Sequence, residues 1–189
     1  ASGIVGNNAK YVFLMLPEFA PGITTLTVLD GFTITGGSNL SDGSLLTDGP
    51  GGGLLCLANN FDCSPRLANL TFSGNRARLG GGMAMVTAAT GGSFGRILAD
   101  VRNIVFSGNA AEQGGGLVIS GPNSATPVLN NVTFSGNRAS QSGGAVWLAR
   151  TNLRLLNSTL AANTAAIDGG AMTIDGRIGE GGPIQHIAN

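Results

Sequence analysis

The feature of this sequence that most constrains its fold is a motif that occurs four times. In every copy an Asn is followed six residues later by a second Asn, and Gly-Gly stands six and seven residues after that second Asn. The four copies occupy residues 69–85, 103–119, 131–147 and 157–173. Self-similarity of this kind is typical of a repeat architecture, in which each copy forms one structural unit.

The composition of the copies favours strands over helices. Successive second Asn residues are 34, 28 and 26 residues apart, so the motif is constant while the connecting lengths vary. Paired glycines and short β-branched runs in each copy disfavour helices. Each coil offers three strand-sized segments, which around the third copy are 127–129, 132–135 and 145–148. Stacked in register, such segments predict an all-β right-handed parallel β-helix of about six coils with three short strands per coil.

The pattern predicts a single β-helix domain over residues 1–189, with regular coils at about 27–174. Loop insertions are predicted at 38–50, 56–63 and 87–95, where turn residues and extra length interrupt the motif. We expect these three loops to present variable surface, because the repeated segments are committed to the coils.

The segment before the first full copy also suggests strands. Residues 11–16 form the longest aliphatic and aromatic run and predict a buried strand. Residues 23–29 alternate and are rich in β-branched side chains, so they predict a second strand. Residues 30–37 are a divergent copy of the motif, in which Gly37 stands where the other copies have the second Asn.

Register across the copies predicts three columns of stacked side chains. Stacked Asn residues can satisfy one another's donors and acceptors at a corner where backbone groups cannot pair. The alternative is that each Asn only tolerates the backbone conformation of its own corner. The first amide column is Asn75, Asn109, Asn137 and Asn163. The second amide column is Asn69, Asn103, Asn131 and Asn157. The interior column is Phe72, Phe106, Phe134 and Leu160.

The two cysteines, Cys56 and Cys63, are seven residues apart. A local disulfide that closes a loop is the preferred interpretation, and it would indicate an oxidising compartment. Two reduced thiols are the alternative. A zinc site would need more ligands than the one distant His of the chain can add.

The motif residues resemble a known family of repeats. FSGN at 72–75, 106–109 and 134–137, each followed by GGGM, GGGL or GGAV, resembles the repeats of chlamydial polymorphic outer-membrane proteins. DGFTITGG at 30–37, followed by GGG, is similar to bacterial secreted proteins with right-handed parallel β-helix repeats. The resemblance covers about residues 27–174 and implies this fold and an exported, extracellular or cell-surface setting. It implies no particular activity.

Composition argues against several classes of partner. The ten basic residues balance the ten acidic ones, and only 5% of residues are aromatic. Nucleic-acid binding is therefore not expected, because it relies on clustered basic side chains and stacking aromatics. No apolar run is long enough to span a membrane as a helix.

No constellation of catalytic residues is visible. The ten acidic residues form no column on successive coils, although Asp42 and Asp48 share one loop and could meet around a cation. His186 is the only histidine and has no nucleophile motif beside it. Arg76 and Arg138 follow the second Asn of their copies, with Ala110 between them, and are read as solvated corners. We therefore predict no catalytic residues, no cofactor and no metal site.

These observations predict a non-enzymatic, exported structural or adhesive β-helix of a bacterial cell surface or extracellular assembly. The expected partners are a host or surface glycan or protein, or further copies of the chain stacked head-to-tail through terminal coils into filaments. The competing hypothesis is a carbohydrate-binding or polysaccharide-degrading β-helix. It would require a groove that bears two carboxylates at catalytic distance, or aromatic platforms.

Overall fold

The computed structural model describes residues 9–40, 49–88, 94–121, 126–176 and 185–188. These residues form nineteen β-strands and no helix. The strands pair only in parallel and lie in three sheets. The chain runs repeatedly from the first sheet to the second and then to the third, so it is a parallel β-helix with three strands per coil.

Each sheet receives strands from successive coils. The first sheet contains β1 (Phe13–Met15), β5 (Leu54–Asn59), β8 (Met83–Ala88), β11 (Leu117–Ser120), β14 (Val146–Ala149) and β18 (Met172–Asp175). The second sheet contains β2 (Val28–Asp30), β3 (Thr33–Thr35), β6 (Arg66–Ser73), β9 (Asp100–Ser107), β12 (Val128–Ser135), β15 (Leu153–Leu156), β16 (Thr159–Ala161) and β19 (Gln185–Ala188). The third sheet contains β4 (Ser38–Asn39), β7 (Arg76–Ala77), β10 (Ala110–Gln113), β13 (Arg138–Ser142) and β17 (Thr164–Ala165). Coils 1 to 6 begin at β1, β5, β8, β11, β14 and β18, and the described part of coil 6 ends in the second sheet.

The three strands of a coil differ from the segments predicted from sequence. Residues 127–129 and 132–135 were expected to be separate strands, but 128–135 form the single strand β12, bent at Asn131 with a φ of 57°. The strand that the sequence did not predict is β13, which follows the second Asn and has the polar sequence RASQS. It is a strand because its backbone pairs with β10 and β17 of the neighbouring coils, which a single coil's sequence does not reveal.

Two predicted strands in coil 1 are shorter than expected. Of residues 11–16, only β1 pairs, and Leu14 is half-exposed because β5 covers β1 on one side only among the described residues. Of residues 23–29, only Val28 and Leu29 lie in a strand. Thr27 N–H donates to Thr24 C=O in a turn, which carries the chain between the first and second sheets and leaves Leu26 exposed.

The predicted loops overlap with strands. Residues 56–59 belong to β5, so the cysteine loop begins only at Asn60, and residues 87–88 belong to β8. Residues 38–39 form β4. The remaining loop predictions fall largely on 41–48 and 89–93, which lie outside the described residues.

The first sheet is buried on both faces. Its inward side chains join the main core with those of the second sheet, including Cys56, Met85 and Ile119. Its outward side chains form a second cluster that runs across the coils. This cluster contains Leu55, Leu57, Ala84, Val86, Ala88 and Val118, with Tyr11, Leu16, Leu79 and Trp147 packed against it. This second cluster lies next to polar residues of the third sheet, such as Gln113 and Gln141.

Candidate functional site

The first amide column is a continuous chain of hydrogen bonds at the corner between the second and third sheets. Asn75 Nδ2 donates to Asn109 Oδ1 (3.1 Å), Asn109 Nδ2 to Asn137 Oδ1 (3.0 Å), and Asn137 Nδ2 to Asn163 Oδ1 (2.9 Å). Each Nδ2 also donates to a backbone carbonyl of the preceding coil, as Asn109 does to Phe72 O. Each Oδ1 also accepts the backbone N–H of the preceding Asn. Every donor of the buried Asn109 amide is therefore used.

The divergent copy joins this column through its backbone. Gly37, which replaces the Asn in coil 1, donates its N–H to Asn75 Oδ1. Asn75 Nδ2 in turn donates to Ile34 O. A side-chain amide in coil 2 thus stabilises the corner of coil 1, which lacks one of its own.

The second amide column is exposed and ends differently from the prediction. Asn103 Nδ2 donates to Asn69 Oδ1 and Asn131 Nδ2 donates to Asn103 Oδ1. Asn157 Nδ2 donates to Asn130 Oδ1, however, and not to Asn131. The corner differs because Ser158 Oγ accepts the N–H of Val132 and donates to Leu156 O. The four Asn residues have φ between 47° and 57°, a left-handed conformation that Asn tolerates better than most residues.

The interior aromatic column is packed face to face. The ring centroids of Phe72 and Phe106 are 4.9 Å apart, and those of Phe106 and Phe134 are 4.7 Å apart, with interplanar angles of 8° and 3°. All three side chains are fully buried. Leu160 continues the column in coil 5 and is partly buried.

The cysteine loop is closed by a Cys56–Cys63 disulfide, with Cα atoms 5.9 Å apart. Beside it, Arg96 of the next coil donates to Asp62 from its backbone N–H and its guanidinium, the shortest side-chain bond being 3.0 Å. Burial raises the pKa of Asp62, but hydrogen bonds from Arg96 and its positive charge outweigh this and lower the pKa below 3.8.

The Asp62–Arg96 pair predicts a small acid-sensitive contribution to stability. Because the pKa of Asp62 is lowered in the folded chain, the contribution is present above the unfolded-state pKa and is lost as the pH falls through the folded pKa. Asp62→Asn should cost less than about 1 kcal/mol at pH 7, since exposed ion pairs are screened by solvent. Urea unfolding of both proteins at about pH 7 and about pH 3 tests this. A difference that is as large at the acidic pH as at neutral pH contradicts it.

The residues considered for catalysis are not brought together. In the described residues no three acidic, His or Cys side chains could hold a metal ion. Asp42 and Asp48 lie outside the described residues, and only the backbone of His186 is described, in β19. Asp100 pairs with Arg66 and Arg102, and Glu112 pairs with Arg78. No helix of the described chain is long and apolar enough to cross a membrane.

Two adjoining depressions lie on the outer surface of the third sheet. The first depression, of about 540 Å³, lies over Ala110 between Arg76 and Arg138. These three residues are in register on coils 2, 3 and 4, so the small side chain of Ala110 leaves a gap between two long basic ones. The depression is also lined by Leu40, Ala77, Ala111, Glu112, Ala139 and Ser140.

The second depression, of about 510 Å³, continues from the first across the corner to the first sheet. Glu112 lines both depressions. One wall carries two polar pairs, Arg78–Glu112 at 3.4 Å and Gln113–Gln141 at 3.4 Å. The other wall is formed by residues of the first sheet and by Arg150, directly after β14: Val86, Thr87, Ser120, Trp147 and Arg150. Trp147, the one Trp of the chain, is half-buried here against the second cluster.

Basic charge is concentrated in these depressions. Their described lining contains the guanidinium groups of Arg76, Arg78, Arg138 and Arg150 and one carboxylate, that of Glu112. Within the described residues, Arg76, Arg138 and Arg150 have no ion pair. On the second sheet, by contrast, Arg66 and Arg102 both pair with Asp100. The chain is neutral overall, but this surface is locally positive.

Sequence reasoning noted Arg76 and Arg138 as solvated corners, assigned no role to Trp147, and did not bring the three together. Arg78 and Arg150 had no recognised role. The signal that could have found this surface is the register of Arg76, Ala110 and Arg138, in which two large residues flank a small one. Register within the third sheet could not place Trp147 beside these arginines, because Trp147 lies in the first sheet and its position depends on where the two sheets meet.

Comparisons with known proteins agree with the fold of one coil. A family model for the Chlamydia polymorphic membrane protein repeat matches residues 131–149. The match begins at Asn131 in β12 and ends at the last residue of β14, so it covers most of one coil, from the second sheet through the third to the first. No curated protein and no solved structure matches the chain. The chain is thus a β-helix with a repeat similar to those of polymorphic membrane proteins.

Proposed function

We propose that this chain is a non-enzymatic, outer-membrane-type β-helix that acts at a bacterial cell surface as a structural or adhesive scaffold. The observation that carries the proposal is the polymorphic membrane protein repeat at 131–149, which contributes Asn137 to the amide ladder. The same hydrogen bonds recur in the neighbouring coils. The family description supports a surface setting, and the repeated ladder supports a mechanical role.

The scaffold would work through stiffness along the coil axis. Six coils at about 4.8 Å per coil give a rod on the order of 30 Å long. Each coil is fixed to the next by three sheets, a buried amide ladder and stacked rings, so bending one coil breaks several interactions at once. Loops and outward side chains can then vary without disturbing the rod.

The non-enzymatic part of the proposal is supported by how the polar groups are used. The buried Asn75, Asn109 and Asn137 all serve the ladder. The carboxylates of Asp62, Asp100 and Glu112 are paired with arginines, and they do not face one another across a groove. A polysaccharide-degrading β-helix would use a pair of such groups on the substrate.

Cell-surface placement can be tested in the bacterium that makes the chain. Protease added to intact cells should remove the chain and leave a cytoplasmic reference protein, and acid-quenched, alkylated extracts should contain Cys56 and Cys63 as a disulfide. A chain that is protected in intact cells and carries two free thiols contradicts the proposal. Turnover of any polysaccharide in a hydrolase and lyase screen contradicts its non-enzymatic part.

Head-to-tail association through terminal coils, which the sequence predicts, stays a prediction. Sedimentation velocity of the purified chain over a range of micromolar concentrations checks it. A single monomeric species at every concentration contradicts association.

A further inference from the structure

We propose that the two adjoining depressions form one groove that binds an acidic polysaccharide. Trp147 would lie under a pyranose ring, and Arg76, Arg138 and Arg150 would bind carboxylate or sulfate groups of the chain. The inference goes beyond the scaffold role, and it does not depend on where the cell places the protein.

The charge of the groove indicates an anionic ligand. Three of its arginines, Arg76, Arg138 and Arg150, have no ion pair within the described residues. The fourth, Arg78, forms an ion pair with Glu112. A guanidinium binds a carboxylate or sulfate through two parallel hydrogen bonds, which makes arginine suited to such groups. Four guanidinium groups against one carboxylate give the described lining a formal charge of +3 in a chain of zero net charge.

The shape of the groove indicates an extended chain of small rings. Arg76 and Arg138 lie two coils apart, about 10 Å at the spacing of hydrogen-bonded strands. About two linked pyranose rings span such a distance, so charged groups on alternate sugars can reach both arginines, and Ala110 leaves room for the ring between them. Beyond the corner, Trp147 offers an aromatic face, and Gln113 and Gln141 offer amide groups to hydroxyls.

Two other polyanions fit the groove less well. An extended peptide that adds to a sheet as a further strand does so at a free strand edge. In the groove, β7, β10 and β13 are hydrogen-bonded to neighbouring coils, so they offer no such edge. Single-stranded nucleic acid stacks successive bases on several aromatic side chains. The described lining contains one aromatic residue, Trp147.

The test uses the purified chain and probes of defined length. Isothermal titration calorimetry would compare tetragalacturonate, a heparin-derived tetrasaccharide, neutral cellotetraose and a single-stranded oligonucleotide. Trp147 fluorescence gives an independent signal at the groove, because the chain has one Trp. We expect binding of at least one acidic oligosaccharide, a change in Trp147 emission, and weakening as ionic strength rises. The galacturonate and heparin arms distinguish carboxylate from sulfate recognition.

Matched double variants locate the site. Arg76→Gln with Arg138→Gln should weaken binding roughly tenfold or more. Arg66→Gln with Arg102→Gln removes the same charge from the second sheet and should leave affinity within about twofold. These side chains are exposed, so the variants should fold, and circular dichroism checks this. The proposal is overturned if no acidic oligosaccharide binds, if cellotetraose or the oligonucleotide binds as tightly, or if both double variants lose affinity equally.

Discussion

Replacing Asn109 with alanine is expected to lower the free energy of unfolding by about 3–5 kcal/mol, since each buried polar group that loses its partner costs about 1–3 kcal/mol. The substitution removes the partner of four groups: Asn75 N–H, Asn75 Nδ2, Phe72 O and Asn137 Oδ1. Asn137 Oδ1 keeps one donor, the backbone N–H of residue 109, so three groups carry most of the cost. Water cannot easily replace the amide, because Asn75, Asn109 and Asn137 are fully buried.

The matched control for Asn109→Ala is Asn103→Gly in the exposed column. Asn103 also bonds to an Asn on each side, but its amide faces solvent, and glycine tolerates its φ of 55°. We expect this control to cost less than about 1 kcal/mol. Urea unfolding followed by circular dichroism measures both. Because stability in a solenoid depends on contacts between neighbouring coils, Asn109→Ala should also broaden or split the transition. Equal losses in the two variants would mean that the buried ladder does not stabilise the coils.

Replacing Phe106 with alanine is the second large expected effect, at about 3–5 kcal/mol. Phe106 is fully buried, and its ring stacks between those of Phe72 and Phe134. Truncation leaves a cavity in the middle of the column, and the coils on either side lose their contact with this ring. The neighbouring coils are held in parallel register on both sides, so they cannot collapse into the space without breaking sheet hydrogen bonds.

Two variants distinguish the loss of core packing at Phe106 from the effect of shortening any side chain on this strand. Phe106→Leu should cost less than the alanine change, about 1–2 kcal/mol, because aliphatic residues already stand in this column as Ile34 and Leu160. Val105→Ala, one residue earlier on the outer face and 37% exposed, should cost under about 1 kcal/mol. Thermal and urea unfolding rank the three variants by their loss of stability. A Phe106→Ala loss no larger than that of Val105→Ala contradicts a packed interior column.

The sequence predicted the coil because its constraints are local and repeated. Gly81 illustrates this: a Cβ at this position would meet the carbonyl oxygens of Ala110 and Gly115 on the next coil, so only glycine fits. Gly108 is favoured for a different reason, since its φ is 61° while the space around it is open. Ala162 occupies the equivalent place in the fourth copy with a φ of 54°, so glycine is preferred there but not required.

The features that the sequence did not reveal depend on neighbouring coils. The strand β13 is polar, and it forms because β10 and β17 pair with it. The turn at residues 24–27 interrupts a segment whose alternation favours a strand. Arg76 and Arg138 line one depression and Trp147 lines the adjoining one only because connections of different length are wound into coils. Patterns within one copy carry no information about these contacts.

Hydrogen exchange at the backbone amides of Asn75, Asn109 and Asn137 tests the central claim most directly. Each N–H donates to the side-chain oxygen of the Asn one coil further on, and no ordinary strand pairing protects it. If the buried amide ladder holds the coils together, these three amides should exchange only when the coils unfold, as slowly as the amides of β9 and β12. Exchange as fast as that of Leu26, in the exposed turn at residues 24–27, would show that the ladder does not form in solution.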